Sequence, residues 1–240
     1  MLINDELNTY INLDYITRTN NTNKTLILSD KQYECVTLVN CNASVCIYYN
    51  RGECIINFST TNDFHDVIYD LTYFTTIQDG LQFHCGFFEL TQKLYSLIDD
   101  FLTSTITTQN IVIVGHSLGG ACSLIFTYLY TKNTERKIDK IITFGCPRVS
   151  LNSLEFLPCE QYNYVNSYDI VSYFPYNFIP NFNIIPLQSN LENYSNFFIF
   201  LRSLSVVPRI LGGVVLLVYI IINQHRMVSY RNILNIKLEV

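Results

Sequence analysis

Residues 110–126 read N-I-V-I-V-G-H-S-L-G-G-A-C-S-L-I-F. Four apolar residues, 111–114, run into Gly115-His116-Ser117-Leu118-Gly119, and a second apolar segment follows at once. The first run has the length and β-branched content of a buried strand. The second, from about 118 to 131, is long enough for a helix. A serine between two such elements has a chemical use. Its hydroxyl is a poor nucleophile at neutral pH unless a base takes the proton. A tight strand-to-helix turn makes the side chain protrude, and flanking glycines remove side chains that would collide there. The helix N-terminus then aims N–H groups at a developing oxyanion. The G-x-S-x-G spacing alone is weak, and an ordinary βα turn is the competing reading. Here both flanks supply the context that a nucleophile elbow demands.

Outward from this stretch the pattern is that of an α/β chain. V-C-I-Y-Y (45–49) and C-I-I-N-F (54–58) flank Asn50-Arg51-Gly52-Glu53 and read as an antiparallel hairpin. Residues 87–102 carry Phe87, Leu90, Leu94, Leu97, Ile98 and Phe101 at helical spacing. K-I-I-T-F (140–144) and Y-N-Y-V-N (162–166) are strand-like, residues 1–17 suit a helix, and 20–25 form a polar loop. Strands alternating with helices predict a central, mostly parallel sheet flanked by helices, with the hairpin on its N-terminal side. At 240 residues and 49% hydrophobic, the chain is enough for one sizeable core and too short for two comfortable α/β domains. It reads as a single domain, 1–240.

Composition excludes several function classes. A net charge of −5 without a Lys/Arg cluster argues against a nucleic-acid partner. The eight cysteines form no C-x-x-C pair, so neither a metal site nor a cofactor is expected, and the thiols read as buried or idle. M-L-I-N-D-E-L-N has acids where a secretion signal needs basic residues, and no apolar stretch follows, which points to the cytoplasm. Residues 210–222 (I-L-G-G-V-V-L-L-V-Y-I-I-I) are uncharged. They are shorter than the roughly 20 residues of a membrane span, which favours a buried strand or a peripheral membrane contact over a transmembrane helix.

An elbow serine needs a base and an acid, which follow it in chain order in this architecture. Of His65, His84, His116 and His225, only His225 lies beyond Ser117. Among the acids between them, Glu135 and Asp139 flank the turn before strand 140–144, at the wrong end of the sheet. Asp169 falls just after 162–166, where a strand's C-terminal end delivers it beside the serine; Glu192 is the alternative. The carboxylate's role is to hold the imidazole tautomer and stabilise the imidazolium.

These residues resemble the fungal-type (class 3) lipases of the α/β-hydrolase superfamily, over about 45–235. G-H-S-L-G-G-A (115–121) has that family's elbow form, and T-F-G-C-P-R-V (143–149) resembles its T-F-G-x-P-R-V strand and loop. V-N-S-Y-D-I-V-S-Y-F-P (165–175) is similar to its acid motif, with Asp169 at the acid. H-R-M-V-S-Y (225–230) is similar to H-x-M-x-x-Y, and F-H-C-G-F (83–87) to H-x-G-F. The resemblance implies an oxyanion hole from the backbone N–H of Leu118 and from a Ser or Thr in an F-R-G-[ST] motif. Here F-S-T-T (58–61) puts Thr61 at that position, with Ser59 and Thr60 replacing arginine and glycine. A β-branched Thr resists backbone angles that glycine accepts.

A lid over the serine is also implied. Phe64, Val67, Ile68 and Leu71 fall at i, i+3, i+4 and i+7, an apolar stripe that suits a lid or a helix packed on the core. The implied function is a serine hydrolase cleaving acyl esters of glycerolipids at a lipid–water interface, like a triacylglycerol lipase. A phospholipase A1 or diacylglycerol lipase uses the same chemistry. The reading from another class is a catalytically silent lipid-binding or membrane-associated protein on the same fold.

Overall fold

The computed structural model describes residues 7, 9–12, 26–28, 31–40, 43–60, 74–167, 169–187, 226 and 230. An eight-stranded sheet runs in the order β1-β2-β3-β4-β7-β8-β9-β10. Its first four strands are Leu26–Leu28, Lys31–Asn40, Ala43–Tyr49 and Cys54–Thr60, successive and antiparallel. From β4 onward the pairing is parallel through β7 (Ile111–His116), β8 (Lys140–Phe144), β9 (Glu160–Asn166) and β10 (Ile184–Leu187). β5 (Thr75–Gln78) and β6 (Leu81–His84) form a separate hairpin. Among the described residues, α1 (Cys85–Thr105) and α2 (Leu118–Asn133) are the long helices, with a short 3₁₀ turn at Ile170–Tyr173, and residues 9–12 are also helical. The mostly parallel sheet and the antiparallel N-terminal hairpin are as the sequence predicted.

Burial explains why the central strands are apolar throughout. Along β7, Ile111 and Ile113 join a core with α1 and α2, while Val112 and Val114 join a second core on the opposite face. That second core includes Leu7, Tyr10 and Ile11 from the N-terminal segment, and Tyr230. A strand covered on both faces loses the alternation of a half-solvated one. Fully burying an Ile or Val side chain contributes about 1.5–3 kcal/mol. Four such residues therefore supply on the order of 6–12 kcal/mol before entropic costs, comparable with a domain's net stability. β7 can carry strain at its end.

α2 is buried at every position from Leu118 to Tyr130. It shows no amphipathic stripe because it is packed all round, unlike α1, which buries Phe87, Phe88, Thr91, Leu94, Ile98 and Leu102 on one side. The predicted hairpin is β3–β4. Its turn is locked by the Asn50 side chain, whose Oδ1 accepts the N–H groups of Gly52 at 2.8 Å and Glu53 at 3.0 Å.

Seven cysteines lie among the described residues, and all seven are free thiols. Burial pushes the Cys122 thiol up to about 12. At pH 8 only about one molecule in 10⁴ then carries the reactive thiolate. Cys122 is expected to resist a disulfide reagent in the folded protein and to react once denaturant is added, which a thiol titration followed by peptide mapping will show. Among the described residues, no helix is long and apolar enough to cross a membrane. The apolar run 210–222 lies outside them.

Candidate active site

Ser117 sits between the last residue of β7 and the first of α2, with φ 58° and ψ −127°. Only a few percent of non-glycine residues have positive φ, and holding one there costs about 1–3 kcal/mol. The Ser117 N–H donates to the Phe144 carbonyl at the end of β8 at 2.9 Å, which ties the elbow to the neighbouring strand. Its carbonyl accepts the Gly120 N–H at 2.9 Å and the Ala121 N–H at 3.2 Å, starting α2 directly. The side chain makes no capping bond to the helix.

Three glycines allow this closeness. A Cβ on Gly119 would lie 2.0 Å from the Phe58 carbonyl oxygen of β4. One on Gly115 would lie 2.3 Å from the Gly119 carbonyl oxygen, and one on Gly120 2.9 Å from the Cys146 Cβ. The first turn of α2 is thus pressed against β4, β7 and the loop after β8. Leu118, whose N–H the family resemblance implies for the oxyanion hole, is the first residue of that turn.

Asp169 lies three residues past the end of β9 and is fully buried. It starts the 3₁₀ turn, its Oδ1 accepting the Val171 N–H at 3.0 Å. Its Oδ2 accepts the Tyr230 hydroxyl at 2.5 Å. One strand, β8, separates β7 from β9, so the ends carrying Ser117 and Asp169 stand two strand spacings, about 10 Å, apart. Asp139 is at the opposite end of the sheet, its carboxylate accepting the Ile111 N–H at 2.7 Å where β7 begins. That agrees with its rejection from sequence.

His225, Thr61 and the residues Phe64, Val67, Ile68 and Leu71 lie outside the described residues, as does Glu192. Ser59 and Thr60 continue β4 beyond Phe58 toward Thr61. Tyr230 ends the H-R-M-V-S-Y segment, where the sequence gives it no role, and the structure puts its hydroxyl on Asp169. A tyrosine five residues after the sole downstream histidine was the available signal.

The parallel half of a mixed sheet, with a positive-φ serine between strand and helix and a buried carboxylate two strands along, is the arrangement of an α/β-hydrolase fold. Residues 55–178 match the family described as lipase (class 3), and the chain belongs to it. The Rhizomucor miehei triacylglyceride lipase superposes with a TM-score of 0.58 at 20% identity, over 71% of this chain and 73% of that one. A fungal lipase–inhibitor complex gives a TM-score of 0.60 at 19% identity, over 80% and 82%. A lipase from Rhizopus microsporus var. chinensis gives 0.53 at 23% identity, over 60% and 56%. Likeness at these identities speaks for the fold. In sequence, 98 residues are 31% identical to toxin TseL of Vibrio cholerae, spanning 40% of this chain and 15% of the toxin's length.

Proposed function

We propose that the chain is a serine hydrolase that cleaves acyl esters of glycerolipids through an acyl-enzyme. In this reading Ser117 attacks the ester carbonyl while His225 takes its proton. The N–H groups of Leu118 and Thr61 receive the oxyanion, at the N-terminus of a 16-residue helix whose dipole favours negative charge there. His225 then protonates the leaving alcohol, and water resolves the acyl-enzyme by the reverse sequence. Asp169 orients the imidazole and balances its charge.

The observation that carries this reading is the strained serine, one strand removed from the strand that delivers a buried carboxylate. A gap of about 10 Å is what an imidazole bridging a hydroxyl and a carboxylate would fill. Chain connectivity is compatible with that bridge. Tyr230 rests on Asp169, and five residues of extended chain put at most about 18 Å between its Cα and that of His225. The segment Phe64–Leu71 serves in the same reading as a lid that turns outward at a lipid surface.

A fluorophosphonate probe reacts readily only with an activated serine. Labelling of the wild-type protein at Ser117, lost in His225→Ala, is the expected result. An unlabelled wild type would leave the silent lipid-binding reading in its place. Fatty-acid release from triolein against phosphatidylcholine then separates a triacylglycerol lipase from a phospholipase A1.

A further inference from the structure

The Tyr230 hydroxyl is where two distant parts of the chain meet. It accepts the Asn166 backbone N–H at 3.1 Å and donates to Asp169 Oδ2 at 2.5 Å, with both side chains fully buried. The ring stands edge-on to His116 and Phe144, at centroid distances of 6.0 and 6.1 Å. These contacts gather the C-terminal ends of β7, β8 and β9 around one phenol.

We propose that Tyr230 is the positioning residue of the catalytic acid: its hydroxyl orients Asp169 toward the imidazole of His225 and shares the carboxylate's charge. This rests on the triad reading above. An aspartate's terminal torsion is broad and roughly two-fold, so a carboxylate held only by its own backbone turns freely. Here each oxygen has a fixed donor, the Val171 N–H on Oδ1 and the Tyr230 hydroxyl on Oδ2. A carboxylate has about four acceptor sites, so two donors set its plane without exhausting its capacity for an imidazole N–H. Bonds to an ionised acceptor are roughly twice as strong as neutral ones, and this one is short.

Burial, with the charge of Asp169, holds the Tyr230 phenol well above its ordinary pKa, so it stays a donor at any assay pH. Among the described residues, the titratable groups packed nearby are His116, against the ring, and Cys146, which interacts with Asp169. Burial pushes the Cys146 thiol well up and keeps it neutral. His225 and Tyr230 are five residues apart, so one short segment carries both the base and the hydroxyl that steadies the acid.

The test is the pH dependence of kcat/KM on a short-chain p-nitrophenyl ester, for wild type and two variants. Tyr230→Phe keeps the ring and removes the donor. With more charge left on Asp169, the imidazolium is stabilised, and the acid limb is expected to move up by about half a unit to one unit. The plateau is expected to fall about tenfold. Replacing Tyr230 by 3,5-difluorotyrosine keeps the ring contacts and makes the hydroxyl a stronger donor, so the acid limb is expected to move down. That arm carries the proposal even if Tyr230→Phe proves unstable. A purely structural tyrosine would lower Tm and active fraction but leave the limb in place. Limbs unmoved in both variants, with the wild type active and labelled by the fluorophosphonate, overturn the proposal. A wild type that neither turns over nor labels overturns the triad reading instead.

Discussion

Ser117→Ala is expected to lower kcat on a p-nitrophenyl ester by about 10⁵-fold or more, with Tm shifted by no more than a few degrees. The size follows from the role. In the proposed mechanism no acyl-enzyme forms without the hydroxyl, and what remains is the binding and oxyanion contribution, typically 10³- to 10⁴-fold over water. The small thermal effect follows from the backbone. Alanine resists φ 58° about as much as serine does, and the Ser117 side chain makes no capping bond that the helix would lose. The backbone bonds that hold the elbow, from its N–H to Phe144 and to its carbonyl from Gly120 and Ala121, are untouched. Steady-state kinetics and a circular-dichroism melt read the two halves separately. Turnover near the wild-type level in the alanine variant would remove Ser117 from the chemistry.

Gly119→Ala is expected to act in the opposite way, through the fold. The added methyl would sit 2.0 Å from the Phe58 carbonyl oxygen, where non-bonded carbon and oxygen stay beyond 3.0 Å. Neither neighbour gives easily: Phe58 is a fully buried strand residue paired with Gly115, and α2 is packed on every side. Relief needs a movement of about 1 Å between β4 and the first turn of α2. Overpacking of this kind costs about 3 kcal/mol or more when backbone must shift. For a chain of this size that lowers Tm by roughly 6–12 °C. The same displacement separates Leu118 from the strand leading to Thr61. A misplacement of about 1 Å is enough to lower activity about 100-fold. Gly52→Ala is the control, because its methyl would meet nothing nearer than the Asn50 Oδ1 at 3.4 Å. Equal melts for both variants would mean that the close approach at Gly119 is not a constraint.

What the sequence made legible follows from how each part is covered. β7, β8 and α2 were readable because burial on both faces leaves mostly apolar runs, and the glycine spacing gave away the elbow between β7 and α2. The helix predicted at 87–102 runs two residues earlier and three later, its start capped by His84, whose Nδ1 accepts the Phe87 N–H. β2 went unread: K-Q-Y-E-C-V-T-L-V-N is mostly half-exposed, and only Tyr33 is fully buried within it. β10 is held by polar contacts along β9, where Asn183 donates to the Gln161 carbonyl and Asn163 to the Phe182 carbonyl. Only Ile185 and Leu187 of its four residues pack on the second core, too few to announce a strand. Asp169 could be chosen over Asp139 because strand direction decides which rim a loop falls on. The Tyr230–Asp169 bond spans 61 residues, and no local pattern encodes it.

The turn at 50–53 lies where β4 begins, beside the start of β7, on the rim farthest from the serine. Arg51 at its tip is exposed. A molecule coupled to a bead or electrode through that one position would present its opposite rim to the medium. Lipid droplets or vesicles brought to such a coated surface would approach from the serine's side, with the anchor behind the sheet.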